Sequence, residues 1–291
     1  MCYFTDESCR LTARGTIALD IDGTITRRDH QIPEDVARFF EGLTREGWQF
    51  IFVTGRPLAF AMRTLPRLSF PYLLGVQNGA DLFEMPSKKR IGRFYLSPSL
   101  VKTIERLYEG EEEDFIIYSG CDFGDMCYYR PDRFSREMRD YLKELERLAD
   151  ALWKPVKSFE EVEQKEFPLI KCMGSREMIE RLDGKLQQVK GIKRAVIKDP
   201  ISGTLYLILV THEQANKGDA TLTFMERYGL KRPLITGGDD NNDIPLLGVG
   251  DVKIAMEGAP DKVRQMATIV APPGDQMGII KGLKEGIEGI R

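Results

Sequence analysis

Apolar and polar positions near the start of the chain follow the pattern of a strand, a helix and a second strand. Residues 16–19 form a short, mostly apolar run, as in a buried parallel strand. Residues 33–47 then show a helical period, with a proline at the start and a glycine at the end. The apolar positions of this helix fall at i, i+3, i+4 and i+7: Val36, Phe39, Phe40 and Leu43. A second apolar run, residues 49–53, follows at once, so the pattern predicts a βαβ unit with a parallel pair of strands.

The last third of the chain repeats this alternation of helices and strands. A helix is predicted over residues 217–228, and strands over residues 234–236 and 252–256. A final amphipathic helix begins near Met277. Alternating β and α elements at both ends of the chain predict an α/β core with a doubly wound parallel sheet.

The middle of the chain has a different pattern, in which strands pair as hairpins. Residues 115–118 and 126–129 flank one glycine-containing turn, and residues 194–198 and 204–210 flank another. Two charged amphipathic helices lie between these hairpins. Hairpins favour antiparallel pairing, so we predict a separate α+β domain inserted into the α/β core.

These patterns divide the chain into three segments. Residues 1–82 are predicted to form the first part of the core, residues 83–211 the inserted domain, and residues 212–291 the second part of the core. The insert would then be joined to the core by two single connections, the minimum for a hinge.

Composition and charge exclude several classes of protein. The 291 residues carry 42 basic and 45 acidic side chains, a net charge of −3, so we expect no nucleic-acid or membrane partner. No apolar run approaches the roughly 20 residues that span a bilayer, and the N-terminal MCYFTDESCR lacks the apolar centre of a signal peptide. The five cysteines are scattered, which predicts a cytoplasmic protein without a disulfide framework or zinc site. Only two histidines are present, too few for a histidine metal cluster.

Two polar motifs follow the first two predicted strands. Asp20 and Asp22, in DIDGT, place two carboxylates where ligands bind in open α/β sheets, at the carboxyl end of a strand. Thr54, Gly55 and Arg56 follow the second strand, where a hydroxyl and turn amides could hold phosphate oxygens. Each motif taken alone is also compatible with a simple polar turn.

Two further motifs lie in the last third of the chain. Lys217 stands at a predicted helix start, a position that favours anions. The segment GGDDNND contains Asp239, Asn242 and Asp243, and its crowded carboxylates favour a bound cation. An EF-hand calcium loop is excluded because the sixth position of the loop would be Ile244 and the twelfth Gly250, where glycine and glutamate are needed. A solvated lysine and an acidic surface turn are the alternatives for these two motifs.

The four motifs in this order resemble the haloacid dehalogenase (HAD) superfamily of phosphohydrolases. DIDGT, the Thr-Gly-Arg-Pro at residues 54–57, Lys217 and the GDDNND segment match its four motifs, and the long insert resembles the α/β cap of the Cof-type subfamily. Asn78, in QNGA, and the segment AMEGAP resemble further Cof-type segments, although Glu257-Gly258 stands where Gly-Asn is usual. The resemblance covers nearly the whole chain from Thr16 and implies a HAD/Rossmann-like core.

The resemblance also implies the chemistry. Asp20 would be the nucleophile and Asp22 the general acid and base. The residues implied to bind the substrate phosphate are Thr54, Gly55, Arg56, Asn78, Lys217 and Asn242. The metal would be Mg2+, a hard cation that prefers oxygen ligands, and its implied ligands are Asp20, Asp22, Asp239 and Asp243.

The favoured function is therefore a Mg2+-dependent phosphatase that hydrolyses a small phosphorylated metabolite, such as a sugar phosphate, through an aspartyl phosphate. A phosphomutase or phosphotransferase with the same nucleophile is an alternative, and a non-catalytic binding module is a weaker one because Asp20, Asp22 and Lys217 are all present. The insert is expected to act as a cap that closes over the site. Arg130, just after a predicted cap strand, is the first candidate to meet a polar leaving group.

Overall fold

The computed structural model describes residues 13–149, 152–199 and 201–290. These residues divide into two compact units, here called the core unit and the insert unit. The insert unit contains Pro57–Phe60 and Phe94–Ala215, and the core unit contains the remainder. The described residues do not include Cys2, Cys9 or the rest of the N-terminal segment, in which the sequence predicts no signal peptide.

The core unit is built on an eight-stranded sheet. Its strands are β1 (Gly15–Leu19), β2 (Trp48–Val53), β3 (Tyr72–Val76), β4 (Asp81–Met85), β5 (Lys89–Arg93), β12 (Leu234–Gly238), β13 (Val252–Met256) and β14 (Ile269–Ala271). Their order across the sheet is β14-β13-β12-β1-β2-β3-β4-β5. The six strands from β14 to β3 are parallel, and β4 and β5 add an antiparallel edge. The predicted parallel α/β sheet is therefore confirmed.

Helices precede or follow the parallel strands of the core unit along the chain. They are α1 (Glu34–Arg45), α2 (Leu58–Thr64), α6 (Lys217–Tyr228), α7 (Ile244–Val249), α8 (Asp261–Met266) and α9 (Gly278–Ile290), and the first residues of α2 are grouped with the insert unit. The predicted apolar face of α1 buries Val36, Phe40 and Leu43. Phe40 packs against Phe50 of β2 with ring centroids 4.9 Å apart. Such aromatic burial anchors the helix to the sheet.

The order of strands reverses at β1, and this reversal positions the motifs. The chain proceeds from β1 to β2 and β3 on one side, whereas β12, β13 and β14 lie on the other. Leu19, the last residue of β1, is in register with Phe52 of β2 and with Gly237 of β12. The polar segments that follow these strands therefore meet at one edge of the sheet, at the switch point where ligands bind in such folds.

The insert unit has its own six-stranded sheet. Its strands are β6 (Phe115–Tyr118), β7 (Cys127–Tyr129), β8 (Trp153–Pro155), β9 (Leu169–Gly174), β10 (Ile192–Lys198) and β11 (Tyr206–His212), and their order across the sheet is β10-β11-β9-β6-β7-β8. Its helices are α3 (Pro98–Leu107), α4 (Arg136–Ala149) and α5 (Arg176–Leu186). Both predicted hairpins pair antiparallel, whereas β7 and β8 are parallel. Throughout the described ranges, no helix combines the length and the apolar character of a membrane span.

Residues 83–93 belong to the core unit, although the sequence-based boundaries assigned them to the insert. The predicted boundary at residue 83 placed them in the insert, but they form most of β4 and all of β5 at the edge of the core sheet. β4 is fully buried and pairs with β3, so its apolar residues belong to the core. The domain limits at residues 83 and 211 stay predictions.

Arg130 does not have the environment expected of a residue that meets a leaving group. It is 7% exposed, and its Nε and Nη2 atoms donate to the two carboxylate oxygens of Asp114 at 2.7 and 2.8 Å. A third donor contacts Glu105, and the guanidinium lies 4.4 Å from the ring centroid of Phe159. The expectation of a free specificity residue is therefore wrong, because burial and a buried carboxylate recruit the arginine to the core of the insert unit.

Replacing Arg130 by alanine is expected to lower the free energy of unfolding by about 3–5 kcal/mol, since Asp114 would remain buried without its cation. Urea unfolding monitored by circular dichroism measures this loss. The matched control is Arg133→Ala, which removes an exposed arginine three residues away. Equal unfolding midpoints for the two variants would contradict a structural role for Arg130.

Candidate active site

Lys217 and Asp20 form the buried centre of the site. Asp20 follows β1 and is 4% exposed, and Lys217 opens α6 and is 1% exposed. The Lys217 Nζ atom lies 2.5 Å from Asp20 Oδ1 and 2.5 Å from Asp243 Oδ1. A Cβ on Gly218 would overlap the carbonyl of Pro245, so glycine allows the start of α6 to approach the first turn of α7 closely. The site thus brings a lysine and two carboxylates together from three distant segments.

Burial and nearby negative charges disfavour the ionised forms of the carboxyl groups at this centre. Burial raises the pKa of Asp20, and the negative charges of Asp243 and Asp22 raise it further, against the attraction of Lys217. Burial alone would lower the pKa of Lys217, but its contacts with Asp20 and Asp243 raise the pKa overall. Lys217 therefore stays charged, and it is a single cation among several carboxylates.

Asp239 completes an all-oxygen cluster. One carboxylate oxygen from each of Asp20, Asp239 and Asp243 lies within 4.8 Å of the others. Gly23 has φ +71°, and a Cβ there would overlap the Asp239 carboxylate. Burial, together with the nearby charges of Asp20 and Asp243, raises the pKa of Asp239 well above its usual value. Three crowded carboxylates with oxygen as the only donor type fit a hard divalent cation such as Mg2+.

Asp243 also holds the loop in place. Its Oδ1 atom accepts from Lys217, and its Oδ2 atom accepts from the backbone N–H groups of Asp239 and Asp240 at 2.9 and 3.0 Å. The residue is fully buried. Both oxygens therefore orient neighbouring groups, and the assignment of Asp243 as a metal ligand stays a prediction.

Asp22 has a separate set of partners. The Arg56 Nε atom donates to Asp22 Oδ2 at 2.5 Å, and Arg56 Nη2 contacts Oδ1. His30 Nδ1 lies 2.9 Å from the same Oδ1. Partial burial would raise the pKa of Asp22, but the hydrogen bonds from His30 and Arg56 prevail and lower it to about 2. Asp22 is therefore an ionised carboxylate held by two nitrogen groups.

The other predicted phosphate-binding residues meet on the β2 side of the site. Thr54 is buried; its hydroxyl accepts from the Arg56 N–H at 3.1 Å and its carbonyl accepts from the Asn78 N–H at 2.8 Å. Asn242 Nδ2 donates to Asn78 Oδ1 at 3.3 Å. A Cβ added to Gly55 would lie 3.5 Å from that same oxygen. Gly55, Asn78 and Asn242 are thus brought together, whereas the Arg56 guanidinium is directed to Asp22.

Two residues near Asp22 carry no signal in the sequence. His30 lies eight positions after Asp22 in a polar turn, and Thr64 ends α2. Thr64 accepts from Arg56 Nη1 at 2.5 Å and donates to the backbone carbonyl of His30 at 2.8 Å. Neither periodicity nor motif spacing indicates such contacts, because they depend on how the loop after DIDGT folds back.

Comparisons with known proteins identify the family of the chain. A profile of the family described as haloacid dehalogenase-like hydrolase matches residues 17–283. The 5-amino-6-(5-phospho-D-ribitylamino)uracil phosphatase of Bacillus subtilis is 22% identical over 276 residues, which cover 92% of this chain and 96% of that protein. A haloacid dehalogenase-like hydrolase from B. subtilis superposes with a TM-score of 0.77 at 19% identity, covering 93% and 99% of the two chains.

A solved sugar phosphatase of HAD subclass IIB is similar in fold, with a TM-score of 0.74 at 22% identity and coverage of 93% of this chain and 98% of that one. At such identities the structural likeness shows the fold. The family profile spans most of the chain and confirms the predicted hydrolase class and Cof-type resemblance. The chain that carries DIDGT, Lys217 and the GDDNND loop at one sheet edge belongs to the haloacid dehalogenase-like hydrolase family.

Proposed function

We propose that this HAD-family enzyme is a Mg2+-dependent phosphatase that hydrolyses a small phosphomonoester through an aspartyl phosphate on Asp20. The observation that carries the proposal is the Lys217 ammonium, held 2.5 Å from both Asp20 and Asp243 beside the acidic cluster. A buried nucleophilic carboxylate needs such positive charge to receive an anionic substrate.

In the proposed reaction, an oxygen of Asp20 attacks phosphorus while the bond to the leaving oxygen breaks. Asp22 supplies the proton that the leaving oxygen needs. Water then attacks the aspartyl phosphate, its proton passes to Asp22, and the bond between Asp20 and phosphorus breaks. Lys217 lowers the repulsion between the Asp20 carboxylate and the phosphate throughout.

The residues proposed to hold Mg2+ are Asp20, Asp239 and the main chain of Asp22, with Asp243 nearby. When bound, the ion would offset the negative charge of nucleophile and phosphate. Thr54, Gly55, Asn78 and Asn242 are proposed to bind the phosphate oxygens. Arg56 stays a predicted phosphate ligand, although its guanidinium already contacts Asp22.

The proposed substrate class is a phosphorylated sugar or sugar alcohol. Two similar proteins support it, because one is named as a sugar phosphatase and the other as a phosphatase of a phosphoribityl compound. A cytoplasmic location is proposed from the scattered cysteines, and the buried Cys127 and Cys172 are free thiols.

The test is a panel of phosphorylated sugars, sugar alcohols, nucleotides and amino-acid phosphates, assayed with Mg2+ for release of inorganic phosphate. We expect the highest kcat/KM among the sugar and polyol phosphates. Parallel reactions with added unphosphorylated sugar detect transfer. Preferred transfer to sugar over water would favour the phosphotransferase alternative, and no turnover of any phosphomonoester would overturn the proposal.

Removal of divalent cations is expected to abolish turnover, and added Mg2+ to restore it, because three carboxylates crowd together at the site. Mg2+ should also raise the melting temperature, since an ion at 100 times its Kd stabilises the folded state by about 2.7 kcal/mol. Asp239→Asn should lose both responses, whereas the exposed-site control Asp261→Asn should keep them. Full activity in metal-free buffer would contradict the metal site.

A further inference from the structure

The carboxylate of Asp22 is held from two sides. Arg56 contacts both of its oxygens, with Nε 2.5 Å from Oδ2, and His30 Nδ1 lies 2.9 Å from Oδ1. When Asp22 is ionised, its carboxylate only accepts hydrogen bonds, so the Nδ1 atom of His30 then carries the hydrogen in this contact. The Asp22 side chain is 40% exposed, so without these contacts it would be free to change rotamer.

The two groups that hold Asp22 are themselves joined. Arg56 is 5% exposed, and its Nη1 atom donates to the Thr64 hydroxyl at 2.5 Å. The same hydroxyl donates to the backbone carbonyl of His30 at 2.8 Å. The four residues Asp22, Arg56, Thr64 and His30 thus form a closed ring of hydrogen bonds, here called the Asp22 clamp. A closed ring restrains its members more than separate contacts do.

The clamp matches one stage of the reaction better than the other. The Arg56 guanidinium only donates hydrogen bonds, and it contacts both carboxylate oxygens, so it matches an ionised carboxylate and offers no acceptor to a protonated one. His30 Nδ1 donates to the ionised form in one ring tautomer and accepts from the protonated form in the other. The ionised form, by contrast, is satisfied on both oxygens. In the proposed function this form exists between departure of the leaving group and attack of water, when Asp22 must accept a proton.

We propose that His30 and Arg56, braced by Thr64, are positioning residues that fix the Asp22 carboxylate as the base for hydrolysis of the aspartyl phosphate. This inference rests on the proposed function. In that step the water oxygen bonds to phosphorus, one water proton moves to Asp22, and the bond from phosphorus to Asp20 breaks to give inorganic phosphate and a free Asp20 carboxylate. His30 and Arg56 exchange no proton with substrate; they set the direction in which Asp22 presents its oxygen.

His30 offers a matched pair of variants. Its φ is +61°, a conformation that glycine adopts freely and asparagine better than most residues. His30→Gly keeps the backbone and removes the donor. His30→Asn keeps the backbone and returns an N–H donor close to the position of Nδ1. Any difference between the two variants therefore reports on the side-chain contact with Asp22 and not on the turn.

With p-nitrophenyl phosphate, the first step needs no proton because p-nitrophenolate is a good leaving group. We expect His30→Gly to lower kcat by roughly 10–100-fold, while kcat/KM, which excludes the water step, changes by less than about threefold. A burst of p-nitrophenolate close to the enzyme concentration should precede steady turnover. His30→Asn should recover most of kcat. Arg27→Ala, an exposed change in the same loop, is the unchanged control.

The effect must pass through Asp22. On an Asp22→Asn background, His30→Gly should cause no further loss of kcat, because the carboxylate that it positions is gone. Provided that the wild-type enzyme turns over, any one of four results would overturn the inference and leave the proposed function standing. These results are additive losses, an equal fall in kcat and kcat/KM, the absence of a burst, and the absence of rescue by His30→Asn. If the wild-type enzyme releases no phosphate from any substrate, the proposed function itself fails and the inference falls with it.

Discussion

Replacing Asp20 by asparagine is expected to lower phosphate release by about 10⁴-fold or more, because an amide oxygen does not form the phosphoryl intermediate. The change is nearly isosteric, so the site should keep its shape. Burial raises the pKa of Asp20, which means that its carboxyl group binds a proton more tightly in the folded state than in the unfolded state. Ionisation at neutral pH therefore opposes folding, and the variant should melt at the same temperature as the wild type or higher.

Activity is best followed with p-nitrophenyl phosphate under Mg2+ saturation, with rapid quenching to detect labelled phosphoenzyme. The wild-type enzyme should trap label on Asp20, and the variant should trap none. Appreciable turnover of the variant after exclusion of deamidation back to aspartate would require another nucleophile. A large fall in melting temperature would instead show that Asp20 has a mainly structural role.

Lys217→Met is expected to have the second largest effect, on both activity and stability. The substitution keeps an unbranched chain as far as Cε and removes the ammonium, which leaves Asp20 and Asp243 buried without their shared cation. Removal of one partner from a buried ion pair typically costs about 3–5 kcal/mol of unfolding free energy. Turnover should fall by at least about 100-fold, since the charge that offsets the phosphate is lost.

A second substitution separates these two effects. Lys217→Met combined with Asp243→Asn removes one of the unpaired carboxylates, so stability should recover in part while activity stays low. Lys262→Met, an exposed change in α8, is the matched control and should alter neither. Recovery of turnover in the double variant, or wild-type stability in Lys217→Met, would contradict the proposed charge arrangement.

Periodicity was sufficient to predict the parallel core, because the helices and strands that flank the site bury regular apolar faces. The predicted helix over residues 217–228 and the strand over residues 252–256 have the same bounds in the structure. The strand β5 was missed because Lys89–Arg93 is polar and half exposed, so it lacks the alternation that marks a strand. Its place at the sheet edge is set by tertiary pairing with β4.

The site was predictable only in part, for a related reason. The four motifs could be expected to meet because parallel strands end at a common edge, and the structure does bring Asp20, Asp239, Asp243 and Lys217 together. The partners of individual side chains could not be predicted in this way. Spacing does not show that Arg56 turns toward Asp22 or that Arg130 is buried against Asp114. Such choices follow from local burial and charge, which act between residues far apart in sequence.

The position of β1 between β2 and β12 has a consequence for the order in which the chain can fold during synthesis. Strand β2 leaves the ribosome soon after β1, but β12 begins only at Leu234, after the whole insert unit has been made. The N–H and C=O groups on one edge of β1 therefore lack their β12 partners until more than 200 further residues have been synthesised. The lysine that neutralises Asp20 is equally late, 197 positions further along the chain. The insert unit, continuous over Phe94–Ala215, can complete its sheet first, and the edge of the core that carries the candidate active site is assembled last.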